Sequence, residues 1–215
     1  MKIKICGLRQ TENINSLLEL QPDYIGFIFY DRSARFVQTP ANKLVGFDKV
    51  GSQGIKKVGV FVDAPIEKVI AIAQEYQLDY IQLHGKENVF YCNELKRRGL
   101  RLIKAFAVDD SFVFTNTDAY QYDCDFFLFD TKGKKPGGNG VQFDWSILEQ
   151  YEGDTPFFLS GGIGPDDIEA IKKISFPRLH ALDLNSRFEI EPGLKNIALL
   201  SEFVNEIKSQ NQANW

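Results

Sequence analysis

Several apolar runs in this chain end in side chains that move protons or grip anions. Cys6 closes Lys2-Ile3-Lys4-Ile5-Cys6-Gly7, Arg35 lies in Ser33-Ala34-Arg35, His84 in Gln82-Leu83-His84-Gly85, and Asp130 in Phe129-Asp130-Thr131. Asp183, Asn185 and Ser186 close a late run. A thiol and a carboxyl facing one cavity supply a base and an acid. An arginine fork is suited to a carboxylate. The glycine-rich stretches Gly137-Gly138-Asn139-Gly140 and Ser160-Gly161-Gly162 let backbone N–H groups turn toward an anion. Lys132, Lys134 and Lys135 add positive potential beside the first. Each residue also has a plainer reading. Cys6 can be a small core hydrophobe, Asp130 a turn cap, Arg35 a surface ion-pair partner and His84 a structural hydrogen-bonding residue. The glycine runs can be ordinary flexible loops. His180, inside an apolar run, reads as structural, and Cys92 and Cys124 read as packing residues.

Positioning such residues requires a scaffold that collects strand ends. Short, nearly continuous apolar runs occur at 3–6, 24–29, 57–62, 80–83, 102–106, 126–130, 157–160 and 179–184. This is the pattern of parallel strands buried on both faces. Amphipathic stretches at 66–76, 89–98, 165–174 and 194–209 alternate with them, and Pro40, Pro65 and Pro165 mark helix starts. Eight such pairs predict an α/β fold, a (β/α)8 TIM barrel spanning 1–215 as one catalytic domain. In that fold the C-terminal strand ends converge over one pocket. An open doubly wound sheet is the structural rival, but no G-x-G-x-x-G follows the first run. The polar 210–215 tail is expected to fray.

A net charge of −4 and a pI near 5.3 argue against general nucleic-acid binding. Three widely spaced cysteines without a C-x-x-C pair, and only two histidines, give no metal-ligand pattern. They fit reduced thiols in a cytoplasmic protein. The N-terminus enters a strand pattern directly, so neither a signal peptide nor a membrane span is expected.

Together, Lys4-Ile5-Cys6-Gly7, Gly26-Phe27-Ile28-Phe29, Ser33-Ala34-Arg35, Gly59-Val60-Phe61-Val62, Gln82-Leu83-His84-Gly85, Asp130-Thr131-Lys132, Gly137-Gly138-Asn139-Gly140, Leu159-Ser160-Gly161-Gly162, Asp183, Asn185-Ser186 and Glu189 occur in an order that resembles the phosphoribosylanthranilate isomerases of tryptophan biosynthesis. The resemblance covers nearly the whole chain. It implies an Amadori rearrangement of N-(5-phosphoribosyl)anthranilate without metal or cofactor, on a small-molecule substrate, by a monomer or homodimer. It further implies Asp130 as general acid and Cys6 as general base. Arg35 would hold the anthranilate carboxylate, Asp183 the ribose hydroxyls, and His84 would shape the pocket. Gly138, Asn139, Gly140, Gly161, Gly162, Asn185, Ser186 and Arg187 would hold the phosphate.

An ordinary aspartate titrates at about 3.9 and a thiol at about 8.5. The acid role therefore predicts a raised Asp130, through the apolar setting of Phe126, Phe127 and Phe129, and the base role a lowered Cys6. The chain departs from the family pattern at Asp63, where Asn is usual, and at Asn139, where a small hydroxyl residue is common. Arg187 replaces a glycine of the final motif. The rival functions are another sugar-phosphate barrel enzyme, a non-catalytic phosphate-binding protein and a thiol-redox protein. Metal-dependent epimerases need more histidines, ring-forming synthases a strand-end lysine acid, and redox proteins a resolving cysteine.

Overall fold

A computed structural model of the chain describes residues 1–41, 50, 51, 53–131 and 144–213. Eight parallel strands close into a barrel in sequence order. They are β1 (Lys2–Ile5), β2 (Tyr24–Ile28), β3 (Lys56–Phe61), β4 (Tyr80–Leu83), β5 (Leu102–Val108), β6 (Phe126–Thr131), β7 (Phe157–Leu159) and β8 (Leu179–Leu184). Closure comes from β1 pairing with β8, with Lys4 in register with Asp183. The described helices are α1 (Thr11–Leu18), α2 (Ile66–Glu75), α3 (Val89–Arg97), α4 (Ile168–Lys173) and α5 (Ile197–Ala213). Proline starts two of them: Pro65 sits at the N-cap of α2, and Pro165 opens a single 3₁₀ turn, Pro165–Asp167, that leads into α4. Asn88 caps α3 by accepting the Tyr91 N–H at 3.0 Å.

The structure corrects two expectations. After β5 and β6 the described connections carry 3₁₀ segments, Phe114–Tyr120 and Trp145–Gln150. Leu194–Lys195 is a strand, β10, paired antiparallel with β9 (Glu189–Glu191). It does not start the last helix, because Asn196 caps that helix through the Leu199 N–H and Lys195 turns inward. At the other end α5 runs to Ala213.

Strand pleating divides the core into two layers, since alternate side chains face opposite ways. Ile3, Ile5, Phe27, Phe61, Phe127 and Phe129 pack outward with the surrounding helices. Tyr24, Val58, Tyr80, Ile103, Phe126, Leu128, Phe158 and Ala181 fill the barrel interior. Above that apolar plug, the same inward parity places Lys4, Cys6, Gln82, His84, Asp130 and Asp183 toward the C-terminal mouth.

Candidate active site

The mouth is an open cleft lined among others by Cys6, Gln82, His84, Asp130, Asp183 and Ser186. Cys6 and Asp130 are both buried yet line this one space. Room for the thiol depends on Gly26, where a Cβ would stand 2.6 Å from the Cys6 Sγ.

On the β1–β8 side, Lys4 is fully buried and its Nζ donates to Asp183 Oδ1 at 2.9 Å. Burial works against the ammonium, but Asp183 and Cys6 outweigh it and push Lys4 above its ordinary value. The thiol is shifted opposite to expectation. Burial pushes Cys6 up, and the neighbouring Asp183 adds to this, while Lys4 and Lys195 oppose it only in part. Cys6 is therefore a neutral thiol at rest.

Behind it, Lys195 is buried and donates from Nζ to Asn185 Oδ1 and to Glu189 Oε1, each at 2.8 Å. Asn13 fixes the backbone of Lys195 from both sides, donating to its carbonyl and accepting its N–H. Glu189 also receives Arg35, whose Nε lies 2.9 and 3.0 Å from the two carboxylate oxygens and whose NH2 lies 2.6 Å from Oε2. Burial alone would raise Glu189; Arg35, Lys195 and the Gly193 N–H outweigh it and hold it low. The trio keeps one net positive charge. Arg35 thus meets a protein carboxylate along its Nε edge, a partnership the sequence reading did not contain.

On the β4–β6 side, Asp130 Oδ1 accepts the Thr131 N–H at 3.0 Å, and Oδ2 lies 3.1 Å from His84 Nε2. The expected ring of three phenylalanines around this carboxyl does not exist. Phe127 and Phe129 have the opposite pleat parity and face the helices, while Phe126 lies below in the barrel plug. Gln82 Nε2 stands 2.8 Å from His84 Nδ1.

Between β6 and β1 lie β7 and β8. Gly161, Gly162, Asn185 and Ser186 from their ends line the cleft. Gly161 has φ +95°, and a Cβ there would collide with Thr131 Oγ1, so the turn accepts only glycine. The N–H of Gly164, ahead of the Pro165 turn, donates to Asp167 Oδ2 at 2.7 Å, so the Gly161–Gly162 loop rather than that helix end is turned to the cleft. Arg187 is not part of the lining. Its guanidinium lies over Gly164, where a Cβ would come within 2.8 Å of Nε, and its NH2 reaches Asp166 Oδ2 at 3.3 Å. Gly138, Asn139 and Gly140, with Lys132, Lys134 and Lys135, lie outside the described residues. His180 lies at the other end of the interior, where its Nε2 is 2.7 Å from the Tyr24 hydroxyl.

Sequence reading did not single out Lys4, Lys195 and Gln82 as functional. Lys4 and Gln82 carried a signal, since each precedes a chosen residue, Cys6 or His84, by two positions and shares its pleat face. Lys195 carried none, because its side chain enters the site through the β9–β10 hairpin.

The family model described as N-(5'phosphoribosyl)anthranilate (PRA) isomerase matches residues 3–206. The chain belongs to the phosphoribosylanthranilate isomerase family. An N-(5'-phosphoribosyl)anthranilate isomerase of Parabacteroides distasonis is 48% identical over 207 residues, covering 96% of this chain and 93% of the relative. The crystal structure of the phosphoribosyl anthranilate isomerase from Thermotoga maritima superposes with a TM-score of 0.84 at 31% identity, covering 97% of this chain and 99% of that one. A further phosphoribosyl anthranilate isomerase, in complex with reduced 1-(o-carboxyphenylamino)-1-deoxyribulose 5-phosphate, matches with a TM-score of 0.81 at 29% identity, covering 97% and 99%. The eight-stranded barrel is thus the isomerase family's fold as well as this chain's.

Proposed function

We propose that this chain isomerises N-(5-phosphoribosyl)anthranilate to 1-(2-carboxyphenylamino)-1-deoxyribulose 5-phosphate, with Asp130 as general acid and Cys6 as general base. The observation that carries these roles is that both groups line one cleft, with the Gly161–Gly162 and Asn185–Ser186 loops on the two strands between them. A phosphate held by those loops leaves the ribose spanning acid and base.

Asp130 donates a proton to the furanose oxygen as the C1′–O bond breaks, and the anthranilate nitrogen lone pair forms an iminium. The iminium acidifies the C2′ proton, and Cys6, after losing its thiol proton to solvent, removes it as the thiolate. The C–H electrons form the C1′=C2′ bond and return a pair to nitrogen. The resulting enolamine loses its hydroxyl proton and gains one at C1′, giving the ketone. Atoms and charge balance, and no oxidant enters.

Lys4 favours the thiolate, and its partner Asp183, which lines the cleft, takes the ribose hydroxyls in this reading. Arg35, held along its Nε edge by Glu189, meets the anthranilate carboxylate from the NH1 side. Each proton-transfer group contributes roughly 10²–10⁴-fold in rate. The test is loss of phosphoribosylanthranilate fluorescence on adding the purified chain. Turnover is expected with the parent chain, and an Asp130→Asn variant is expected to lose at least 100-fold in kcat, at the low end of that range. Near-parental kcat in that variant removes Asp130 from the acid role, and binding without turnover by the parent chain supports a phosphate-binding protein instead.

A further inference from the structure

Gln82 is 1% exposed and lines the cleft, yet it carries no charge and no obvious chemistry. Its Nε2 can only donate, so at 2.8 Å it makes His84 Nδ1 an acceptor. A neutral imidazole that accepts at Nδ1 carries its hydrogen on Nε2. That Nε2–H then points at Asp130 Oδ2, 3.1 Å away. The opposite tautomer would present a lone pair to Asp130, and a protonated Asp130 would hand its hydrogen to the histidine. With Nε2 already protonated, the carboxyl hydrogen is not directed at the histidine. After the proton is transferred, the same Nε2–H and the Thr131 N–H stabilise the carboxylate left behind.

A second observation ties this chain of contacts to the ligand. Gln82 Oε1 is buried and has no hydrogen-bond partner among the described residues. An unpaired buried acceptor is unfavourable, because it has given up its hydration without gaining a partner. A half-turn of the amide does not relieve it, because an unpaired NH2 takes its place. A donor on a bound sugar satisfies Oε1 and locks Nε2 onto His84. Titratable groups that interact with Asp130 from other strands include His84 on β4 and Asp183 on β8.

We propose that Gln82 aims the proton of Asp130 at the substrate by fixing the tautomer of His84, and that a sugar hydroxyl donating to Gln82 Oε1 locks this arrangement. Gln82 is a positioning residue, and the inference rests on Asp130 being the acid. The chain holds two histidines, so ¹⁵N spectra of the histidine-labelled protein contain two imidazoles. In the parent chain His84 is expected to carry hydrogen on Nε2 and none on Nδ1. Gln82→Met, close in size but without the amide, is expected to populate the Nδ1–H form. Its kcat should fall more than tenfold, while affinity for a reduced product analogue falls less than tenfold. Gln82→Glu, which offers an acceptor at Nδ1, is expected to protonate Nδ1 and to lower kcat similarly.

A parent chain whose His84 carries hydrogen on Nδ1 overturns the proposal without any variant. So does a Gln82→Met protein with an altered tautomer and kcat within twofold of the parent. Turnover retained by Asp130→Asn removes the acid assignment itself and leaves the tautomer result standing, so the two failures are distinguishable.

Discussion

The two ends of the barrel interior each hold a histidine, and the two are treated in opposite ways. At the bottom, the His180 ring lies 4.4 Å from that of Phe126 and 5.4 Å from that of Phe158. Burial, with Lys2 nearby, pushes it down to about 4, so it is a neutral packing residue at physiological pH. At the mouth, His84 stands between an amide and a carboxyl and lines a cleft. At the bottom, Tyr24 and His180 meet as two neutral groups. The mouth gathers Lys4, Asp183, Lys195 and Glu189 and pairs each charge with another. The apolar plug lies beneath these four charges, which are held above it as two close ion pairs.

This contrast can be broken from either end. The largest effect is expected at the mouth: Cys6→Ala should lower kcat by roughly 10²–10⁴-fold while thermal melting stays near that of the parent. Near-normal kcat in this variant would remove the thiol from the chemistry. Phe158→Ala, at the bottom, should do the reverse. Truncating this fully buried ring should lower unfolding free energy by about 3–5 kcal/mol in denaturant titrations, with kcat of the folded fraction unchanged. A kcat loss matching that of Cys6→Ala would mean that the two ends are not separable.

Lys4→Met sharpens the account of the mouth. Lys4 pulls the Cys6 thiol down against its burial, so removing it should move the ascending limb of the kcat/KM pH profile to higher pH. A shift of one unit corresponds to about tenfold less thiolate at neutral pH. An unmoved limb would separate Lys4 from the base. The smallest effect is expected from His180→Gln. The folded protein binds this proton only near pH 4, whereas the unfolded chain binds it near 6.5, so the native histidine lowers stability as pH falls through that window. The variant should show a shallower loss of stability between those values, and an identical slope would mean that His180 titrates normally.

Much of this architecture was legible in sequence because strands buried on both faces leave unbroken apolar runs. The strands at 80–83 and 179–184 match their structural limits, and Cys6, His84, Asp130, Asp183, Gly161, Gly162, Asn185 and Ser186 meet at one cleft. What sequence did not show depends on direction and distance. Phe127 and Phe129 adjoin Asp130 in the chain but face the other way, and pleat parity alone would have excluded them. Burial of Cys6 outweighs its two lysine neighbours, a balance that no spacing rule contains. Arg35 and Glu189 are 154 residues apart, and each reads alone as a surface charge. The β9–β10 hairpin was missed because two residues of strand cannot be distinguished from the start of a helix by periodicity.

The Lys4–Asp183 pair joins residues 179 positions apart, the first strand to the last. During synthesis the opening strand therefore emerges with an ammonium whose counter-charge has not yet been translated. Burying that ammonium alone would be strongly unfavourable, so the strand cannot settle into a closed interior while the chain is incomplete. Final closure of the barrel and neutralisation of the buried Lys4 become one event, and a barrel that lacks its last strand has neither.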